Sequence, residues 1–324
     1  MLPLLHEDCF KQLLSITLYH AISTLFVHMD LHNYLEIQKL SIDKALDTLL
    51  PREDQFPPHL HKAMRYCLFA GGKRIRPILA IAAAEAVGGN PEDIIQEASA
   101  LELIHTFTLI HDDLPAMDND DYRRGVLATH KIFGEAMAIL AGDALLTEAF
   151  KILSLGCKRG VHKPEHIVSI IEVVAEASGS RGIVGGQVED IDSEGKVIEQ
   201  KHLEYIHQHK TGSLITASVL LGGTLAEGSE QEIEHLKTYG TSIGLAFQIT
   251  DDILDIKGSS EELGKKTGSD HNKGKATYPG ILGIGQAEER KRELYEEAIH
   301  ALQSFDEKAD HLREIGLYII ERHC

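Results

Sequence analysis

The run Ile94-Ile-Gln-Glu-Ala-Ser-Ala-Leu-Glu-Leu-Ile-His-Thr-Phe-Thr-Leu-Ile110 passes directly into His111-Asp-Asp-Leu-Pro-Ala-Met-Asp-Asn-Asp-Asp121, and this stretch decides the fold class. Its apolar residues recur at intervals of three and four, the period of one helix face, and Pro91 suits a first helical turn. Pro115 cannot continue the helix and marks its end. The same spacing extends in both directions. Leu35, Leu40, Ile42, Leu46 and Leu49 lead into Pro51, and Ile78 to Val87 closes at Gly88-Gly89. Further helices are predicted at about 129–155, 165–188, 200–226, 229–256 and 288–322. Alternating stretches of strand length are nearly absent, so the fold class is all-α, and residues 29–324 read as one domain without a linker.

The chain has 324 residues, 43% hydrophobic and 25% charged, a composition that excludes fibrous and disordered classes. Its 32 basic and 50 acidic residues leave a net charge of -18, which argues against broad electrostatic binding of nucleic acid or anionic membranes. Cys9, Cys67, Cys157 and Cys324 show neither CxxC nor zinc spacing, in keeping with a reducing, cytoplasmic setting. Residues 1–28 read as an N-terminal extension of unknown role. The uncharged run from Gln12 to Met29 is interrupted by Ser15, Thr17, His20, Ser23 and Thr24, short of the roughly 20 predominantly apolar residues that span a bilayer. Stable membrane insertion is therefore not expected.

Two acidic clusters stand out. In the first, Asp112, Asp113 and Asp118 gather where the apolar helix ends, and the break at Pro115 lets Asp118 turn back toward Asp112. A solvated acidic loop would be the bland reading, but the apolar run ending at Ile110 leads straight into the cluster. An EF-hand is excluded, because counting from Asp118 the fifth position is Tyr122 and the required glycine at the sixth is Arg123. In the second cluster, Phe247-Gln-Ile-Thr-Asp-Asp-Ile-Leu-Asp255, Asp251 and Asp255 are four apart on a helix. Such a like-charge pair costs a few tenths of a kcal/mol, roughly, and more when buried, unless a cation lies between the carboxylates. Hard oxygen donors without a His or Cys constellation favour Mg²⁺.

Compact basic groups balance this acid. Gly71-Gly-Lys-Arg-Ile-Arg-Pro77 and Arg123-Arg124 suit phosphate oxygens, with Arg as a planar fork and Lys as a point charge. A P-loop is absent: Gly72-Lys73, Gly264-Lys265 and Gly274-Lys275 lack both its upstream glycine and its following hydroxyl. Acidic and basic groups together point to a Mg²⁺-diphosphate enzyme.

The ordered set Gly-Gly-Lys73-Arg-Ile-Arg76-Pro, Asp112-Asp113-x4-Asp118 with Arg123-Arg124-Gly, Lys210-Thr211-Gly, Phe247-Gln248 with Asp251-Asp252-x2-Asp255, and Gly264-Lys265 resembles that of the trans-prenyl diphosphate synthases. The likeness to bacterial-type farnesyl diphosphate synthases runs from about Met29 to the C-terminus. It implies the all-α isoprenoid synthase fold around a central cavity, usually in a homodimer. It implies metal binding by Asp112, Asp113, Asp118, Asp251, Asp252 and Asp255, with three Mg²⁺ ions per substrate-loaded site. By the same resemblance Arg123, Lys210, Thr211, Gln248 and Lys265 contact the allylic diphosphate, with Lys210, Thr211 and Gln248 stabilising the cation. Lys73, Arg76, His105 and Arg124 hold isopentenyl diphosphate.

The implied reaction is ionisation, condensation and elimination, ending in farnesyl diphosphate and released diphosphate. Phe107, five residues before Asp112, is the expected floor for a fifteen-carbon product; a helix rise puts it about 7.5 Å along the axis. Geranylgeranyl synthases of the family share the Pro115-Ala116 insertion and remain an alternative. A terpene cyclase would have no need of the Lys73/Arg76 site, and non-catalytic subunits typically lose aspartates that are complete here.

Overall fold

The computed structural model describes residues 31–257 and 275–322, so the extension 1–28 and Lys265 lie outside the described residues. Helix α1 covers 31–49. It is followed by α2 (Pro58–Leu68), α3 (Ile75–Ala86) and α4 (Pro91–Asp112). A hairpin of β1 (Tyr122–Arg123) and β2 (Val126–Leu127) leads to α5 (Thr129–Phe133), α6 (Glu135–Arg159), α7 (Pro164–Ser178) and α8 (Ile183–Ser193). Then come α9 (Gln200–His207), a π-turn at Gln208–Gly212, α10 (Ser213–Leu225) and α11 (Glu230–Lys257). The chain closes with α12 (Tyr278–Leu282), α13 (Ile284–Ala301), a 3₁₀ turn at Glu307–Ala309 and α14 (Asp310–Glu321). The all-α expectation holds.

Helix α4 begins where its sequence dictates. The Asn90 side chain accepts from the Glu92 amide at 3.4 Å, Pro91 occupies the first turn, and Glu92 and Asp93 complement the helix dipole. It packs between α3 and α6, while α10 lies against α3 and α11, and α13 covers another side of α11. Ile78 to Ala84 are all fully buried, as are Val219 and Leu221 on α10. Helices apolar on every face belong inside, surrounded by others, so α3 and α10 form the centre and α4 and α11 bring their polar ends to it.

The predicted helices differ from the observed ones at four points. The 129–155 helix breaks at Gly134, whose φ of 86° is one that other residues avoid. The 165–188 helix stops at Ser178, is interrupted from Gly179 to Gly182, both poor helix formers, and resumes as α8. The 288–322 helix starts earlier, at Ile284, stops at Ala301, and resumes at Asp310 behind a turn in which the Asp306 side chain caps the Lys308 amide at 2.9 Å. The 200–226 helix is present but carries the π-turn. The hairpin was not foreseen, because two-residue strands are too short to alternate; Arg124 (φ 52°) and Gly125 (φ 80°) make its left-handed turn.

Candidate active site

The basic run entering α3 divides its three cations between two tasks. Arg74 adopts a left-handed backbone (φ 55°) and turns inward, 2% exposed. Its guanidinium donates to Asp43 at 2.8 Å, Glu102 at 2.7 Å and the Leu68 carbonyl at 2.7 Å. Arg74 is thus structural, and its saturated hydrogen bonding offsets the strain of the left-handed residue. Lys73 and Arg76, beside Arg74, line a cavity of about 130 Å³ with His105, Arg124, Phe247 and Arg322. Arg124 donates to the Gly71 carbonyl and reaches Glu102 at 3.4 Å. Gly72 has a φ of 121°, a conformation other residues rarely adopt, and a Cβ there would lie 2.6 Å from the Arg124 guanidinium carbon, so a larger residue would displace Arg124.

These four predicted residues are therefore brought together. Burial, with Arg76 and Arg124 nearby, holds His105 well below the usual imidazole range, so its ring is neutral at pH 7. Burial pulls Arg76 down to about 10, which leaves it charged. Arg322 completes the cavity. It donates to Asp251 at 2.7 Å and to the Phe247 carbonyl at 3.0 Å, and lies 3.8 Å over the Phe247 ring. Nothing near Arg322 in the sequence announced this, because its partners are about seventy positions upstream.

At the end of α4 the chain turns at Pro115, and the Asp118 amide donates to the Asp112 carbonyl at 2.8 Å. The predicted return of Asp118 toward Asp112 is observed. Asp112 is pushed up to about 6, first by burial and then by Asp118, with Lys210 pulling the other way. Asp113 points elsewhere. It is 1% exposed and takes two hydrogen bonds from Arg123, the Nε one at 2.9 Å. Arg123 also reaches Asp120 at 3.4 Å. Phe107 is buried, with its ring edge-on to His111 at 4.8 Å, and His111 Nε2 lies 3.1 Å from the Ile139 carbonyl of α6.

The π-turn between α9 and α10 presents Lys210 and Thr211, a common use for this irregularity. The Thr211 hydroxyl donates to the Gln248 amide oxygen at 2.9 Å, joining the turn to α11. Lys210 pairs with Asp190 at 2.6 Å. Lys275 lies 3.1 Å from Asp118 and 3.4 Å from Asp190, so one ammonium links the first aspartate motif to α8. Burial would raise the Asp190 carboxyl, but Lys210 and Lys275 outweigh it and hold Asp190 below the usual range. Sequence reading missed Asp190 and Lys275; the signals were the Gly185-Gly186 pair ahead of Asp190 and the Gly274-Lys275 pair, set aside when no P-loop emerged.

On α11 the second motif divides as the first does. Asp251 carries the Arg322 contact, and Asp255, one turn on, is half-buried. Asp252 is 3% exposed and receives His207 Nε2 at 3.0 Å and the Tyr278 amide at 2.9 Å.

A sequence model of the polyprenyl synthetase family matches residues 57–315. The chain belongs to the polyprenyl synthetase family. It is 46% identical over 297 residues to the heterodimeric geranylgeranyl pyrophosphate synthase large subunit 1, chloroplastic, of Arabidopsis thaliana, covering 90% of this chain and 80% of that one. It is 45% identical over 278 residues to the farnesyl diphosphate synthase of Micrococcus luteus, covering 86% and 94%. The geranylgeranyl pyrophosphate synthetase of Pyrococcus horikoshii Ot3 has the same architecture, with a TM-score of 0.81, 32% identity, and coverage of 90% and 98%. The architecture is the isoprenoid synthase fold, and the chain is a prenyltransferase of the polyprenyl synthetase family.

Within this polyprenyl synthetase, α4 brings His105 to the cationic cavity and Asp112 to the carboxylates. The donor set fits Mg²⁺: Asp112, Asp118, Asp251 and Asp255 offer hard oxygens, and the Asp112 carboxyl, raised first by burial and then by Asp118, is one that a bound cation would relieve. Among the described residues no three acidic, imidazole or thiol groups converge as a closed metal cage. Mg²⁺ needs none, since it keeps waters and shares positions with substrate phosphates.

Proposed function

We propose that this prenyltransferase is a Mg²⁺-dependent farnesyl diphosphate synthase. It condenses isopentenyl diphosphate head to tail with dimethylallyl and then geranyl diphosphate. The observation that carries the reading is the pairing along α4 of a cationic cavity around Lys73, Arg76, His105 and Arg124, suited to one diphosphate, with a carboxylate region around Asp112, suited to a second through a divalent cation. A reaction between two diphosphates needs two such sites. Arg322 belongs with the first, and Asp190 and Lys275 with the second.

The cationic cavity holds the homoallylic diphosphate by charge-assisted hydrogen bonds, and neutral His105 donates one N–H. Lys210, Lys275 and Arg123 hold the allylic diphosphate on the other side. Asp112, Asp118, Asp251 and Asp255 would hold Mg²⁺, which would supply charge neutralisation for the departing diphosphate. The allylic C–O bond breaks with its electron pair going to diphosphate, and the isopentenyl alkene attacks the allylic carbon. The Thr211 hydroxyl and Gln248 amide oxygens, already joined, offer dipoles to the carbocation. A proton passes from the carbon beside the new cation to diphosphate, closing the new double bond. Buried apolar walls on α3, α4 and α10 keep water from the cation.

Phe107, five residues before Asp112, supports a fifteen-carbon product, its buried ring lying edge-on to His111. A twenty-carbon product is the second reading, supported by the likeness to the Arabidopsis geranylgeranyl pyrophosphate synthase subunit. The exposed apolar stripe Val184, Val188 and Ile191 on α8, with Ile139 and Leu140 on α6, supports a homodimer. No helix among the described residues is long and apolar enough to cross a membrane, and a cytoplasmic setting accords with the thiol pattern. The catalytic unit is residues 29–324.

The test is incubation of the purified chain with labelled isopentenyl diphosphate, dimethylallyl diphosphate and Mg²⁺, followed by chromatography of the dephosphorylated products. Mainly C15 is expected. Mainly C20 overturns the farnesyl assignment, and no incorporation overturns the synthase reading.

A further inference from the structure

Asp252 stands beside the proposed metal ligand Asp251 yet is turned into the protein, where three elements meet on its carboxylate. His207, the last residue of α9, donates from Nε2 at 3.0 Å, and the amide of Tyr278, the first residue of α12, donates at 2.9 Å to the same Oδ2. The His207 and Tyr278 rings stack, with centroids 5.9 Å apart and planes at 20°. The Tyr278 hydroxyl bonds Glu204, three residues before His207 on α9. His207 is 7% exposed and Tyr278 fully buried. Lys275 lies three residues before Tyr278, and an extended chain of three residues spans about 10 Å at most. Where Tyr278 is fixed therefore limits where the Lys275 ammonium can reach, and it reaches Asp118 and Asp190.

We infer that His207 is a positioning residue: by orienting Asp252 and stacking on Tyr278, it fixes the segment that places Lys275 between Asp118 and Asp190. The role goes beyond the proposed synthase activity but rests on that reading for its link to substrate. His207 touches no reacting atom. It sets where one cation of the allylic diphosphate site stands, and through Asp252 it ties the second aspartate motif to the first. A residue merely filling the core would show none of this coupling.

Three variants separate the two roles. His207→Phe keeps an aromatic ring against Tyr278 but removes the donor, His207→Ala removes both, and His207→Gln restores an N–H. Two readouts are used, steady-state kinetics with geranyl and isopentenyl diphosphates, and calorimetric binding of inorganic diphosphate in the presence of Mg²⁺. His207→Phe should weaken Mg²⁺-diphosphate binding and raise the geranyl diphosphate KM about tenfold, the scale of lost support behind a ligand. The isopentenyl diphosphate KM should change less than about twofold, and His207→Gln should recover most of the loss, within the same scale. Combined with Lys275→Ala, His207→Phe should add almost nothing, because both act through one ammonium. Wild-type binding by folded His207→Phe, or full additivity with Lys275→Ala, overturns the inference. If the wild-type enzyme condenses no substrate, the synthase reading fails, while the diphosphate-binding arm and its cycle still decide the role of His207.

Discussion

The two aspartate motifs share a pattern and differ in how the fold supports it. In each, the first aspartate, Asp112 or Asp251, meets the charged region of the site, and the second, Asp113 or Asp252, is almost fully buried with donors of its own. At the first motif the donor is Arg123, a full charge from the neighbouring hairpin, and the third aspartate arrives through a loop. At the second the donors are His207 and a backbone amide, and the third aspartate follows on the same helix. A carboxylate pair can thus be anchored by a guanidinium where a loop follows the helix, or by an imidazole and a backbone amide where the helix runs on.

The largest expected effect treats the motifs alike. Asp112→Ala and Asp251→Ala should each lower kcat/KM by about a thousandfold or more, since each removes charge stabilisation specific to the transition state. Both variants should keep their helical circular dichroism. A folded variant with wild-type turnover at saturating Mg²⁺ would remove that residue from the ligand set.

The next effect separates stability from function. Asp112 has a folded pKa raised from 3.8 to about 6, so the folded state binds its proton more tightly than the unfolded chain does. Its ionisation therefore costs stability that is lost as pH rises from about 4 to 6, and the full cost, about 3 kcal/mol from a shift of this size, applies above pH 6. In metal-free buffer at pH 8, Asp112→Asn should be more stable than wild type by up to that amount, and the difference should vanish below pH 4, about the unfolded value. Denaturant unfolding across this pH range measures it. A variant less stable than wild type at pH 8 would show that the carboxylate is not strained.

Much of this was legible in the sequence, and what was not has identifiable causes. Helix α4 could be read because its periodicity, its proline start and its proline stop all agree. Asp118 could be placed because Pro115 leaves the chain few ways to continue. Arg74 could not be told from Lys73 and Arg76, since only the folded chain shows its guanidinium taken up by Asp43, Glu102 and the Leu68 carbonyl. Arg322, Asp190 and Lys275 were invisible for a different reason, as each joins the site through partners distant in sequence. The buried orientations of Asp113 and Asp252 were equally hidden, because identical neighbouring letters carry no sign of which faces the core.

A smaller effect concerns product length. Phe107→Ala should leave most activity intact and shift products from C15 toward C20 or longer, because losing the ring opens volume beside His111 for another isoprene unit. An active variant that still yields only C15 would show that the floor lies elsewhere.

The most direct test of two separate diphosphate sites is the pair of Michaelis constants of Lys73→Ala at saturating Mg²⁺. Lys73 lines the cationic cavity with Arg76 and His105, so its loss should raise the isopentenyl diphosphate KM about tenfold, the worth of one charge-assisted contact, and leave that for geranyl diphosphate nearly unchanged. Equal increases for both substrates would contradict the division of the site.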